Sequence, residues 1–125
     1  MTRNEFVNRY TEIVGRALKY AEKARREGLL ALEEESDQAK IDERDIFEYG
    51  LRFVVDGTDA ELIEKILSNI IKQEKDENII ILKNIQKEAV LRIQDGTNPR
   101  MLYAVLNSYA NITIKEDEIR NLMVD

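Results

Sequence analysis

Apolar and small residues recur at Val7, Tyr10, Val14, Ala17, Ala21, Ala24 and Gly28. Steps of three and four place them on one stripe of a helix, since a turn takes 3.6 residues. Ile13, Leu18 and Leu29 widen the stripe, and Leu30 and Leu32 carry apolar character onward. The pattern predicts a helix from about Arg3 to Glu34. Gly28 would sit inside it as a small residue under a crossing helix, weakening it by up to about 1 kcal/mol relative to alanine. Glu35 to Arg44 is polar and reads as a loop. A second helix is expected near Asp45, whose carboxylate can accept from free backbone amides. It carries Ile46, Phe47, Leu51, Phe53, Val54 and Val55, and the Asp56-Gly57 pair is a natural stop.

Thr58 with Glu61 three residues later forms a capping box, so a third helix is expected to start at once. Its apolar positions are Leu62, Ile63, Ile66, Leu67, Ile70 and Ile71, and after a polar stretch Ile79, Leu82, Ile85, Ala89, Val90 and Ile93. Neither proline nor glycine intervenes before Gly96, which favours one continuous helix; a turn within Glu74–Asn78 is the alternative. Asp95-Gly96 ends it, and Asn98-Pro99 opens the next helix, with asparagine at the cap and proline at the first helical position. Met101, Leu102, Val105, Leu106 and Tyr109 form its apolar side. A second capping box, Thr113-Ile114-Lys115-Glu116, predicts a last short helix with Ile119, Leu122 and Met123. No strand alternation persists. The expected fold is all-α, an elongated helical bundle of about five helices with a long central one, forming a single domain over 1–125.

Charged residues make up 35% of the chain against 43% hydrophobic, a balance that favours solvated helices around a thin core. The net charge of −6 argues against nucleic acid as a partner, because duplex binding needs a basic stripe. The chain has no cysteine and no histidine, which removes thiol nucleophiles, the commonest general base and the commonest zinc ligands. Carboxylates fall in runs such as Glu33-Glu34-Glu35 and Asp42-Glu43, the pattern of a solvated face. Asp56-Gly57-Thr58-Asp59 has a faint look of a calcium loop but lacks that motif's later ligands. No enzyme, metal site or cofactor is expected. The longest aliphatic run, Ile79-Ile80-Ile81-Leu82, is far short of the roughly 20 residues a membrane helix requires. The N-terminus has no apolar signal core. A soluble cytoplasmic protein without a membrane span is the expectation.

Two blocks resemble the MotA/PomA family, the A-subunit of the ion-driven flagellar stator. The first is Ala24-Arg25-Arg26-Glu27-Gly28-Leu29-Leu30-Ala31-Leu32-Glu33, followed by Phe47-x-x-Gly50-Leu51-x-x-Val54-Val55-Asp56-Gly57-Thr58-Asp59. It is similar to that family's large cytoplasmic loop, and residues 1–71 form the loop-like half. The second runs from Glu88-Ala89-Val90-Leu91-Arg92-Ile93-Gln94-Asp95-Gly96-Thr97-Asn98-Pro99-Arg100 to Leu106-Asn107-Ser108-Tyr109. It is similar to the cytoplasmic tail, and residues 79–125 form the tail-like half. In the family, two membrane helices separate these blocks, whereas here a short polar-to-mixed stretch does. No ion conduction is therefore expected. A natural relative that lacks the membrane part fits better than a splice of two pieces, since no Gly/Ser linker marks the join.

The resemblance implies a partner. In the family, charged residues of the loop are thought to meet charged residues of the rotor protein FliG. By motif position Arg25 and Glu33 match the family's charged pair, and Arg26 and Glu34 match charged neighbours in some members. On a continuous helix Arg26 and Glu33, seven apart, would share a face. Separated charges of both signs suit steering and reversible docking. The implied function is a non-enzymatic protein-binding body of the flagellar motor. The other reading is a helical adaptor that forms a homo-oligomer through a coiled-coil seam along its first and third helices.

Overall fold

A computed structural model describes residues 1–36 and 45–123; the loop expected over Glu35–Arg44 lies, from residue 37 on, outside them. The helices are α1 (Arg3–Glu27), α2 (Glu33–Ser36), α3 (Phe47–Val55), α4 (Ala60–Ile71), α5 (Glu77–Gln94), α6 (Pro99–Asn107) and α7 (Glu116–Met123), with a 3-10 turn over Leu29–Leu32. There is no strand among the described residues. The all-α bundle is what the periodicity predicts. Several of its helix boundaries are not, two of them by a wide margin.

The first departure is Gly28. The residue has φ +92°, a conformation that side chains rarely adopt, and its N–H donates to Ala24 O at 2.7 Å. It therefore ends α1 at Glu27 instead of lying within a helix to Glu34. No crossing helix lies over it, since a Cβ added there would meet nothing within 4 Å. The second departure lies at 72–76. Asp76 accepts from the N–H groups of Asn78 and Ile79 and caps α5. Glu74 Oε2 accepts from the N–H groups of Lys75 and Asp76, while its Oε1 accepts from Lys83 Nζ at 3.0 Å. The hydrogen bond from Lys83, helped by those from the Asp76 and Lys75 amides, holds the Glu74 carboxyl below the usual carboxylate range. The expected long helix is thus two antiparallel helices. Glu64 and Ser68 of α4 meet Lys87 of α5, and Thr58 O accepts from Gln94 Nε2 at 2.8 Å.

Folding back is favoured because it buries Ile63, Leu67 and Ile71 of α4 beside α5. Each such side chain contributes about 1.5–3 kcal/mol on burial. Releasing a few polar residues from a helix costs at most about 0.7 kcal/mol each in propensity. Burial wins. It also uses up the stripes that would have formed an oligomer seam: Tyr10, Val14, Ala17 and Ala21 of α1 and Ile79, Leu82, Ile85 and Ile93 of α5 are all in the core.

α5 is the central helix, packed against α1, α3, α4 and α6. Two of its polar side chains go inside with it. Gln86 Oε1 accepts from Ile46 N at 2.9 Å, satisfying a backbone amide at the start of α3. Asp45 accepts from Phe47 N beside it. α3 crosses closely over the α4–α5 pair at Gly50, where an added Cβ would lie 2.8 Å from Val90 Cγ2 and 3.2 Å from Leu67 Cδ1. α6 is tied to α1 by Asn107, whose Oδ1 accepts from Tyr10 OH at 2.6 Å and Ile112 N at 3.0 Å. α7 packs against α1 and begins at Glu116, later than the Thr113 box implies; the side chains of Ile119, Leu122 and Met123 lie outside the described set.

The α3–α4 and α5–α6 hairpins repeat one design. Asp56-Gly57-Thr58 and Asp95-Gly96-Thr97 stand at equivalent places, with φ of 78° at Gly57 and 77° at Gly96. Thr58 N donates to Phe53 O at 2.9 Å and Thr97 N to Arg92 O at 3.0 Å, the Schellman closure of each first helix. Asp59 and Asn98 then stand as N-caps, Asp59 without a side-chain bond, so α4 begins two residues after the expected Thr58 cap. Gly50, Leu51, Val54, Ile63 and Leu67 are buried in the first hairpin, and Ala89, Val90, Ile93, Leu102 and Leu106 at the matching places in the second. Two turns and two burial patterns in one register identify an internal repeat.

Candidate interaction surface

Gly28 makes a corner, and the four residues singled out in the sequence flank it. Arg25 and Arg26 lie in the last turn of α1, where cations face the negative end of the helix dipole. Glu33 and Glu34 open α2, where anions face the positive end. All four are exposed. They do not share a helix face, because the break at Gly28 cancels the seven-residue register between Arg26 and Glu33. The corner instead sets a basic flank against an acidic one.

Local packing holds this shape. Leu32 is fully buried and Leu29 packs against the core, so the 3-10 turn is anchored on one side. Lys23 reaches from α1 to Glu35 at 3.4 Å and Glu34 at 3.7 Å, drawing α2 back toward α1. Desolvation works against the Lys23 charge, but the hydrogen bond to Glu35 and the field of Glu34 outweigh it and raise its pKa. Arg26 pairs with its neighbour Glu27 at 3.3 Å, both largely in solvent. Between the flanks stands Leu30, 71% exposed, the most exposed large hydrophobic among the described residues. Along the chain Leu30 reads only as apolar character carried toward the end of a helix to Glu34. Its exposure follows from the corner, and Gly28 was the signal that could have revealed it.

A second group of charges is structural. Arg16 of α1 donates through its guanidinium to Asp45 Oδ2 at 2.6 Å and Glu48 Oε1 at 2.8 Å. Its Nε lies 3.0 Å from Glu12 Oε1, an ion pair without an aligned hydrogen bond. The guanidinium also sits over the Phe47 ring, 5.0 Å from its centroid. Tyr20 OH donates to Glu48 Oε1 at 2.8 Å, and the Tyr20 ring meets Phe47 edge-on. Burial raises the Glu48 and Glu12 carboxyls above the usual carboxylate range, and Arg16 opposes that rise only in part. Burial also raises the Tyr20 hydroxyl, and Glu48 pushes it further. An open depression of about 370 Å³ lies over Arg16, edged by Asn8, Arg9, Glu12 and Asp45. These charges face one another and join α1 to α3. The corner charges face solvent.

The fold and the corner together define an all-α bundle whose exposed corner carries charges of both signs. No helix among the described residues is long and apolar enough to cross a membrane. No family model matches the chain, and no solved structure matches it. The chain is 48% identical over 58 residues to Motility protein A of Treponema phagedenis. The match covers 46% of this chain and 21% of that protein, so the chain matches about a fifth of the relative's length. This similarity supports a MotA-like relationship.

Proposed function

We propose that this chain is a non-enzymatic interaction protein of the flagellar motor, a MotA-like body that docks on the rotor protein or another motor component. The similarity to Motility protein A carries the reading. The corner at Gly28 supports it: an exposed leucine between a basic and an acidic flank suits a contact steered by charge and held by a small apolar anchor. In this reading the protein works in the cytoplasm, at the inner face of the motor.

Binding of the full chain to purified rotor protein tests the assignment. Arg25→Glu and Glu33→Arg should slow association several-fold at low salt, with the difference shrinking as salt rises. Leu30→Asp should weaken affinity by about tenfold, mainly through faster dissociation. All three positions are exposed, so thermal unfolding should stay near the parent's. Unchanged affinity in all three variants would remove the corner as the docking surface.

A further inference from the structure

The depression over Arg16 has polar groups in its lining that the fold leaves unused. Gln86, on the central helix, is only 1% exposed and lines it. Its Oε1 accepts from Ile46 N, which leaves Nε2 as the unused end of the amide. No described residue accepts from that nitrogen. A buried amide donor without an acceptor costs about 1–3 kcal/mol, so folded interiors rarely keep one. Arg9 lines the same depression, half-buried and without an ion-pair partner among the described residues. Asn8 adds an exposed amide to the lining. These groups are donors. Glu12 and Asp45, also in the lining, are acceptors. Both pair with Arg16, as does Glu48, so one guanidinium meets three carboxylates. Arg16 offsets burial at Glu12 only in part, and the field of Asp45 adds to the rise, so a further cation is favoured there.

We propose that this depression binds a free α-amino acid with a short aliphatic side chain. The Gln86 amide and the Arg9 guanidinium donate to its carboxylate, and Glu12 and Asp45 accept from its ammonium. Hydrogen bonds to ionised groups are the strong ones, and this ligand makes them at both ends. A plain anion would use the donors but meet two carboxylates. A plain cation would leave the Gln86 amide without an acceptor. A zwitterion answers both. Ile13 is the apolar residue of the described lining and gives the aliphatic side chain its contact. A volume of about 370 Å³ lies near the small end of the roughly 300–1,000 Å³ of ligand pockets, the scale of one small metabolite. The depression is open, so part of the ligand stays in solvent and the affinity is in the millimolar range. The inference is independent of the motor reading, because it uses neither the corner nor the similarity.

Nitrogen–proton NMR of the full chain, titrated with L-valine, tests it. The side-chain amide signals of Gln86 should shift and saturate at millimolar valine. Isovalerate keeps the carboxylate and the branched chain but lacks the ammonium, and isobutylamine lacks the carboxylate. Each should bind about tenfold more weakly or worse, the loss of one charged hydrogen-bonding group. Arg9→Ala and Glu12→Gln should each weaken valine binding by a similar factor, with a melting curve close to the parent's. Gln86 is read through its own signal, so the core needs no substitution. A Gln86 amide indifferent to valine at tens of millimolar overturns the proposal, as does full-strength binding by both variants. So does isovalerate or isobutylamine binding as tightly as valine, which would make the site one for a plain anion or a plain cation. The titration is read on the isolated chain, so it stands or falls separately from rotor binding.

Discussion

Replacing Arg16 with alanine is expected to destabilise the fold by about 3 kcal/mol, the low end of what breaking a buried ion pair costs. Three carboxylates converge on this guanidinium, and its side chain is only 17% exposed. Without it, Asp45 and Glu48 face each other with Tyr20 as the remaining donor to Glu48. The contact over the Phe47 ring goes as well. Urea unfolding at neutral pH should show a lower midpoint with a nearly unchanged slope.

The same variant has a pH signature. Glu12 and Glu48 have folded pKa values raised by burial, with Arg16 pulling them back down. A carboxyl raised on folding contributes stability below its unfolded pKa and loses it as pH climbs through its folded pKa. Removing Arg16 raises both carboxyls further, so more stability is lost over that climb. The deficit of Arg16→Ala should therefore be largest near neutral pH and should narrow as pH falls toward the usual carboxylate range. A deficit that is constant with pH would mean that Arg16 matters for packing alone.

Gly50→Ala is expected to cost about 1–2 kcal/mol, although alanine is the better helix former. The helix gain is at most about 1 kcal/mol. Against it stands overpacking, which typically costs about 1–3 kcal/mol. The upper part of that range applies here. Two methyls of Val90 would lie 2.8 and 3.3 Å from the new Cβ, and Leu67 Cδ1 3.2 Å from it. Val90 is β-branched, stiff about χ1 and fully buried on the central helix, so it has nowhere to turn. Pairing the change with Val90→Ala removes both methyls and should recover part of the loss. That coupling in a double-mutant cycle is the check. Additive single effects would contradict the close approach.

The two effects explain why the exposed corner can hold its shape. Arg16 joins α1 to α3, Gly50 lets α3 settle on the α4–α5 pair, and Leu32 anchors the turn after Gly28 in the same core. A surface made of long charged side chains has little stiffness of its own, since exposed ion pairs contribute only about 0–1 kcal/mol. The corner takes its geometry from the bundle beneath it.

Much of this arrangement is legible along the chain. The stripe of α1, the stops at Asp56-Gly57 and Asp95-Gly96, and the start at Asn98-Pro99 are local events, settled by periodicity, left-handed glycine and proline's fixed φ. The all-α class follows from them, whereas Arg25, Arg26, Glu33 and Glu34 stand out only through the resemblance to the stator family. Three things were decided elsewhere. The turn at 72–76 has no breaker; it exists because folding α4 onto α5 buries more than a continuous helix could, with Glu74 and Asp76 supplying the acceptors. The partners of Arg16 come from helices far apart in sequence, so no local pattern shows that three carboxylates will meet there. Leu62 and Met101 stay exposed only because burial has taken the rest of each stripe. Local sequence thus determined where helices form and which faces are apolar. Tertiary packing decided which of those faces remain outside, because burial depends on what the rest of the chain places against them.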